Sequence, residues 1–148
     1  MNPLECFLVY AADFEKTLVD DDWSRLERHF SDDSVYRVES DSFGCELNGP
    51  AAIFAGMKKS LDGFDRTFSG REIAILGEPE VDGDELRVSW TVTYQKDGCP
   101  PFVLRGKSLA RVCDGEIALL VDSYDQRVSA ELGDWMRQTG TRLDPSYA

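Results

Sequence analysis

Between Glu85 and Tyr94 the sequence ELRVSWTVTY changes character at every step: Leu86, Val88, Trp90, Val92 and Tyr94 alternate with Arg87, Ser89, Thr91 and Thr93. A period of two is the mark of a half-buried β-strand with one wet face. Such a strand needs neighbours on both edges and a layer over its apolar face, and the flanking sequence supplies them. VDGDE is hairpin chemistry and joins it to RTFSGREIAIL on one side. KDGCPP turns the chain into VLRGKSLARV, whose even positions Leu104, Gly106, Ser108, Ala110 and Val112 oppose the basic odd positions Arg105, Lys107 and Arg111. CDGE then turns into EIALLV, apolar on both faces, which predicts a central or interface strand. In RTFSGREIAIL, Phe68 has even parity but Ile73 and Ile75 odd, so a β-bulge is expected at Ser69-Gly70. Long strands are therefore expected over about 66–126.

The first part of the chain follows the helical period instead. Leu4, Phe7, Leu8, Ala11, Phe14 and Leu18 fall at steps of three and four, one face of an amphipathic helix. Asp20-Asp21-Asp22 interrupts it, and Asp22 is expected to cap a short second helix with Trp23, Leu26 and Phe30 on one side, giving helices over about 3–30. Acids clustered at a helix start favour the macrodipole and need no metal. Ser31-Asp32-Asp33-Ser34 reads as a turn, VYRVES as a short strand and DSFGCELNG as a second extended piece. Asn48-Gly49-Pro50 starts a third helix over about 50–62, with Ile53, Met57 and Leu61 on one face and Gly63 at its stop. Val128, Leu132, Trp135 and Met136 predict a short C-terminal helix over about 128–139, followed by a tail. With no repeat or linker, the expectation is one domain over 1–148. Its class is α+β, a curved mixed or antiparallel sheet wrapped around the N-terminal helices, with a cone-shaped interior fit for a small apolar molecule.

Charge narrows the partners. The chain carries 28 acids against 16 bases, a formal net charge of −12. Such a field repels phosphate backbones and anionic lipid, so neither nucleic acid nor a membrane surface is an expected partner. Cys6, Cys45, Cys99 and Cys113 are scattered without ligand spacing, and the stretch MNPLECFLVYAADFEK lacks a basic start and a cleavage site. Reduced thiols in the cytoplasm are expected.

The chemistry-bearing stretch is EIALLVDSYDQR, where five apolar residues run into Asp122, Ser123, Tyr124 and Asp125. If Leu120 faces the cavity, alternation sends Asp122 and Tyr124 the same way, and Asp125 outward unless the strand bends. A carboxylate in an apolar pocket has a raised pKa and can serve as a general base near neutral pH. A neighbouring tyrosine hydroxyl can donate to a developing enolate oxygen. The blander alternative is that Asp122 pairs with an arginine or caps a turn. Trp90, Tyr94 and Tyr36 either line the cavity or fill the core. His29, the only histidine, is expected to be a partly exposed packing residue, and a lone histidine argues against a metal site. No metal or organic cofactor is expected.

WSRLERHFSDDSVY, then NGPAAI, then DGEI followed by DSYD resemble the nuclear transport factor 2-like superfamily, in its SnoaL-like branch. The resemblance implies a cone-shaped, cystatin-like fold that hosts several unrelated activities. Against its ketosteroid isomerases, Phe14 and Val38 stand where a tyrosine and an aspartate would be wanted, and Ser108 near a third acid. Against its limonene epoxide hydrolases, Arg105 and Lys107 lack the accompanying aspartates. Against its polyketide cyclases, Asp122 or Asp125 matches an acid at the end of the last strand. The candidate catalytic residues are therefore Asp122, Tyr124 and Asp125, and the candidate ligand-binding positions are Phe14, Tyr36, Trp90, Tyr94, Ser108 and Leu120. Three readings stand: a cofactor-free isomerase, cyclase or lyase for a small apolar carbonyl compound, a non-catalytic binding module, and a homodimerisation domain using the sheet.

Overall fold

The computed structural model describes residues 2–40 and 44–141; the start of the second extended piece (41–43) and the tail from 142 lie outside the described residues. The order is α1 (Pro3–Asp20), a 3-10 helix (Trp23–His29), β1 (Phe30–Glu39), β2 (Gly44–Asn48), α2 (Pro50–Gly63) and a 3-10 turn (Asp65–Thr67). Then come β3 (Gly70–Asp82), β4 (Glu85–Gln95), β5 (Phe102–Cys113), β6 (Glu116–Tyr124) and α3 (Val128–Thr139). The protein is α+β. One curved six-stranded sheet, in the order β2-β1-β6-β5-β4-β3, is antiparallel except where β1 runs parallel to β6.

Two-residue turns set the register of the long strands. Asp114 and Gly115 both have positive φ, as a tight hairpin that follows the sheet twist requires. In the resulting register Val88 lies opposite Ser108, Ser108 opposite Asp122, Asp122 opposite Val38 and Val38 opposite Cys45. A second row runs from Tyr124 through Gly106 and Trp90 to Ile75. On β5 every even residue from Phe102 to Val112 is either buried or against the interior, and every charged residue is odd and faces out. The outward Arg105 and Arg111 meet Glu131 and Glu85. Strand β6, apolar on both faces, is central, between β1 and β5.

Five expectations are corrected. The buried stripe of α1 runs through Pro3, Cys6, Phe7, Tyr10, Asp13 and Thr17, while Leu8 is 43% exposed. Two polar residues sit in that stripe because each has partners. Asp13 accepts from Arg28 at 2.5 Å and contacts His29 Nε2 at 2.7 Å, and the Thr17 hydroxyl donates to the Asp22 carbonyl at 3.0 Å. His29 is accordingly buried, and the bonds from Arg28 and His29 hold the Asp13 carboxyl well below the usual carboxylate range. The second helix is a 3-10 segment that ends at His29, and Phe30 already belongs to β1. The turn expected at Ser31–Ser34 is also part of β1, with the register shift between Phe30 and Val35. Finally, β3 starts at Gly70 and its bulge lies between Leu76 and Glu80, at Gly77-Glu78-Pro79, where Gly77 has φ +66°. Phe68 precedes the strand and packs with Phe64 and Tyr94, so its parity carried no strand information.

Two apolar clusters share Trp90 as a half-buried neighbour. One joins α1 and α2 to the sheet around Leu26, Phe30, Ile53, Leu86 and Ile117; the other joins α3 to it through Phe68, Phe102, Val128 and Trp135. Each fully buried aliphatic or aromatic side chain contributes about 1.5–3 kcal/mol. The α1 start is fixed by a capping box: Glu5 N donates to Asn2 Oδ1 at 2.9 Å and Asn2 N to Glu5 Oε2 at 3.1 Å.

Trp90 is able to lie across β5 because residue 106 has no side chain. A Cβ there would meet two Trp90 ring carbons at 2.5 and 2.6 Å and the Ser123 carbonyl oxygen at 2.9 Å. Gly106→Ala is expected to cost about 1–3 kcal/mol through overpacking, read as a lowered denaturation midpoint. An unchanged midpoint would mean that the indole has another place to go.

Candidate functional site

The concave face of the sheet, α1, α2 and α3 enclose a cavity of about 820 Å³. Its wall is mostly apolar, and two hydrogen-bonded clusters of polar groups stand on it.

The first is centred on Asp122, one inward position from the end of β6. Ser108 Oγ, on the neighbouring strand, donates to Asp122 Oδ1 at 2.6 Å. Tyr36 Oη, from β1 on the other side, donates to Oδ2 at 2.7 Å. Trp90 Nε1 donates to Ser108 Oγ at 2.9 Å, which leaves the serine proton for the carboxylate. No cation pairs with Asp122 among the described residues. Burial pushes its carboxyl above the usual range, while the bonds from Ser108 and Tyr36 act in the other direction. The Tyr36 phenol is pushed well above its ordinary value, first by burial and then by the Asp122 charge. Tyr124 sits edge-on to Trp90, ring centroids 6.0 Å apart.

The second cluster lies where β3 pairs with the end of β4. Arg71 Nε donates to Asp65 Oδ2 at 2.8 Å, and Nη1 reaches both Glu15 oxygens at 2.6 and 2.7 Å. Tyr94 Oη donates to the same Asp65 oxygen at 3.0 Å. Burial raises the Asp65 carboxyl against the pull of Arg71, and burial likewise opposes the Arg71 charge, which the two carboxylates outweigh.

Tyr10 belongs to both. It is 6% exposed, it lines the cavity, and its hydroxyl has no hydrogen-bond partner among the described residues. Burial raises its phenol furthest, Asp122 and Glu15 raise it further, and Arg71 lowers it, so both clusters act on this one hydroxyl.

The structure brings Asp122, Tyr124, Tyr36, Trp90, Tyr94, Ser108, Leu120 and Phe14 to this one cavity. It leaves Asp125 outside. Asp125 is exposed, its backbone N–H is bonded to the Arg105 carbonyl, and its side chain accepts from Arg127 N at the start of α3. The strand therefore ends without the bend that would have turned Asp125 inward. Sequence reasoning missed Tyr10, Glu15, Asp65 and Arg71. Tyr10 was within reach, three residues after Phe7 and four before Phe14, but only the apolar residues of α1 were counted.

Chemically, a carboxylate with a raised pKa facing an apolar cavity suits proton transfer at carbon, and hydroxyl groups around it suit an oxygen that gains charge.

Comparison with known proteins agrees with this architecture. No curated protein matches the chain by sequence. Among solved structures, TerC co-crystallised with polyporic acid is 18% identical with a TM-score of 0.66, covering 91% of this chain and 98% of its own. A nuclear transport factor 2-like protein of unknown function from Burkholderia pseudomallei is 15% identical, TM-score 0.67, over 91% and 97%. A Mycobacterium tuberculosis epoxide hydrolase of the LEH-like kind is 20% identical, TM-score 0.57, over 88% and 90%. At such identities these likenesses speak for the fold alone. Residues 11–120 match the SnoaL-like domain, and the chain belongs to that family.

Proposed function

We propose that the protein binds a small, largely apolar carbonyl compound in the cavity and transfers a proton at the carbon next to its carbonyl, without a cofactor. Asp122 is the base. The observation that carries this reading is its setting: a carboxylate held by Ser108 at 2.6 Å and Tyr36 at 2.7 Å, unpaired with any cation among the described residues, on the wall of a cavity of about 820 Å³. A carboxylate used as a structural ion-pair member has a cationic partner, and a packing strand end has no open volume beside it. Tyr10 and Tyr124 supply hydroxyl groups for the carbonyl oxygen, whose charge grows as the proton leaves. Half-exposed Leu8, Ile73 and Ile75 border the same cavity and suit the passage of an apolar molecule. Isomerisation, cyclisation and elimination all begin with this step, so it defines the reaction class.

The proposal extends to assembly and location. Leu109, Leu119 and Val121 are half-buried on the outward face of the central strands, and a second copy packed on that face would cover them. All four cysteines are free, which fits a reducing cytoplasm.

Three measurements test this. In deuterated buffer with 2-tetralone, the protein is expected to exchange the hydrogens beside the ketone, and Asp122→Asn to slow that exchange by roughly 10²–10⁴-fold. The rate should rise with pH through an apparent pKa above that of an exposed aspartate. Equal rates for the two proteins would sink the catalytic reading, and retained binding of 2-tetralone would then favour a binding module. Second, a carboxyl pKa raised by folding means that the native state holds the proton more tightly than the unfolded chain, so stability is lost as pH rises from the unfolded to the folded value. Asp122→Asn is therefore expected to be at least as stable as the parent at neutral pH and less pH-dependent, by thermal melts. An equal pH dependence of the two melting points would contradict the raised pKa. Third, light scattering is expected to give twice the chain mass, and Val121→Glu the mass of one chain; a monomeric parent would reject the dimer.

A further inference from the structure

The second polar cluster makes no hydrogen bond to Asp122 among the described residues, yet it lines the same cavity. Its geometry is that of an arginine with some of its donors in use and the rest left over. The Arg71 side chain is only 13% exposed. Nε is taken by Asp65 and Nη1 by Glu15, but Nη2 has no acceptor among the described residues. An arginine fixed by two carboxylates in this way is rigid and costs little further entropy when its last donors are used. Arg71 lines the cavity, so a ligand oxygen that enters can accept from those remaining donors, and a hydrogen bond to a charged donor is among the stronger kinds.

We propose that Arg71 is the second binding pole of the cavity, with Nη2 donating to a neutral oxygen of the ligand (ketone, ether or hydroxyl) at the end remote from the carbon that Asp122 deprotonates. The inference rests on the cavity reading above and adds the ligand's shape and polarity to it. A carboxylate or phosphate in this place is disfavoured, since Glu15 and Asp65 already outnumber the one guanidinium. Position fixes the shape. Arg71 pairs with Tyr94 and Tyr94 with Phe102, while Asp122 pairs with Ser108, so six residues of β5 separate the two rows. At about 3.3 Å per residue this is roughly 20 Å along the strands, with three strand spacings of about 4.8 Å between β3 and β6, and the curvature of the sheet and the inward reach of both side chains shorten the gap. The apolar wall between the poles carries Trp90, Val92 and Leu104, which suits fused or linked aromatic rings. Tyr10 lines the same cavity, its hydroxyl has no partner among the described residues, and both poles act on it electrostatically, which suits its proposed place at the carbonyl oxygen.

The test uses two probes that differ only in an oxygen: 2-acetyl-6-methoxynaphthalene and 2-acetyl-6-ethylnaphthalene, with binding measured by equilibrium dialysis. The parent is expected to bind the methoxy compound roughly tenfold more tightly, the scale of one hydrogen bond to a charged donor. In Arg71→Lys, which keeps a cation for Asp65 and Glu15 but lacks the second arm of the fork, the preference is expected to vanish. Equal binding of the two probes by the parent, or a preference that survives in Arg71→Lys, overturns the proposal. Because the variant can lose stability, the ¹⁵N signal of the Arg71 guanidinium is followed in the parent as well. It is expected to shift with the methoxy probe and not with the ethyl probe, and no difference between them counts against the assignment. Deuterium exchange at the acetyl methyl group, read in the same samples, reports on Asp122 separately. Exchange without a preference removes only the Arg71 pole, and a preference without exchange removes only the catalytic reading.

Discussion

Ser108 lies opposite Val88 on one side and Asp122 on the other, and the remainder of the interior depends on that register. Because side chains alternate with a period of two, a slip of one residue between β5 and β6 would turn Asp122, Tyr124 and Leu120 out to solvent and bring Val121 and Ser123 in. The tight turn at Asp114-Gly115 and the bare backbone at Gly106 hold the register from two ends. The first permits only one hairpin geometry. The second leaves a place for the Trp90 indole, which in turn orients Ser108 towards the carboxylate.

The interior is also an answer to an electrostatic problem. A carboxylate removed from water costs several kcal/mol unless hydrogen bonds or a cation replace its hydration. The chain uses a different remedy at each of three sites. Asp13 has Arg28 and His29 and is held ionised, tying α1 to the segment before β1. Asp65 has both an arginine and a phenol. Asp122 has two hydroxyl donors and no cation among the described residues, so its proton affinity is the one left adjustable by what enters the cavity. Identical side chains thus become a strut, a clamp and a proton acceptor through their neighbours alone.

The later half of the fold was legible because hairpin strands declare themselves locally: parity in β4, β5 and β6, together with DG turns between them, places Asp122 beside Leu120 and Tyr124 without any tertiary knowledge. The first half was less so. Asp13 and Thr17 read as the wet side of α1, and only partners elsewhere in the chain make them core residues. Ser31–Ser34 is turn-like in composition, and within β1 it is the irregular stretch between Phe30, opposite Ile117, and Val35, opposite Leu119, two pairings that the local sequence does not announce. The Arg71 cluster was illegible for the same reason carried further. Glu15 and Arg71 are 56 positions apart, and nothing in either local sequence announces the other. Asp125 failed for the opposite reason: as part of the DSYD run it looked equivalent to Asp122, and alternation alone told them apart.

The bulge at Gly77-Glu78-Pro79 has a consequence for how the protein behaves in a crowded solution. Strand β3 forms one edge of the sheet and exposes Ile73, Ile75 and Leu76, a combination that ordinarily recruits other chains into cross-β aggregates. Here the edge is broken midway by a left-handed glycine and a proline that has no amide hydrogen to offer, and Glu72, Glu78, Glu80 and Asp82 give it like charge along its length. An incoming copy of the same strand would meet a kink, a missing donor and four carboxylates. The edge can therefore stay open beside a cavity that needs an apolar border, and the chain avoids paying for that openness with amyloid.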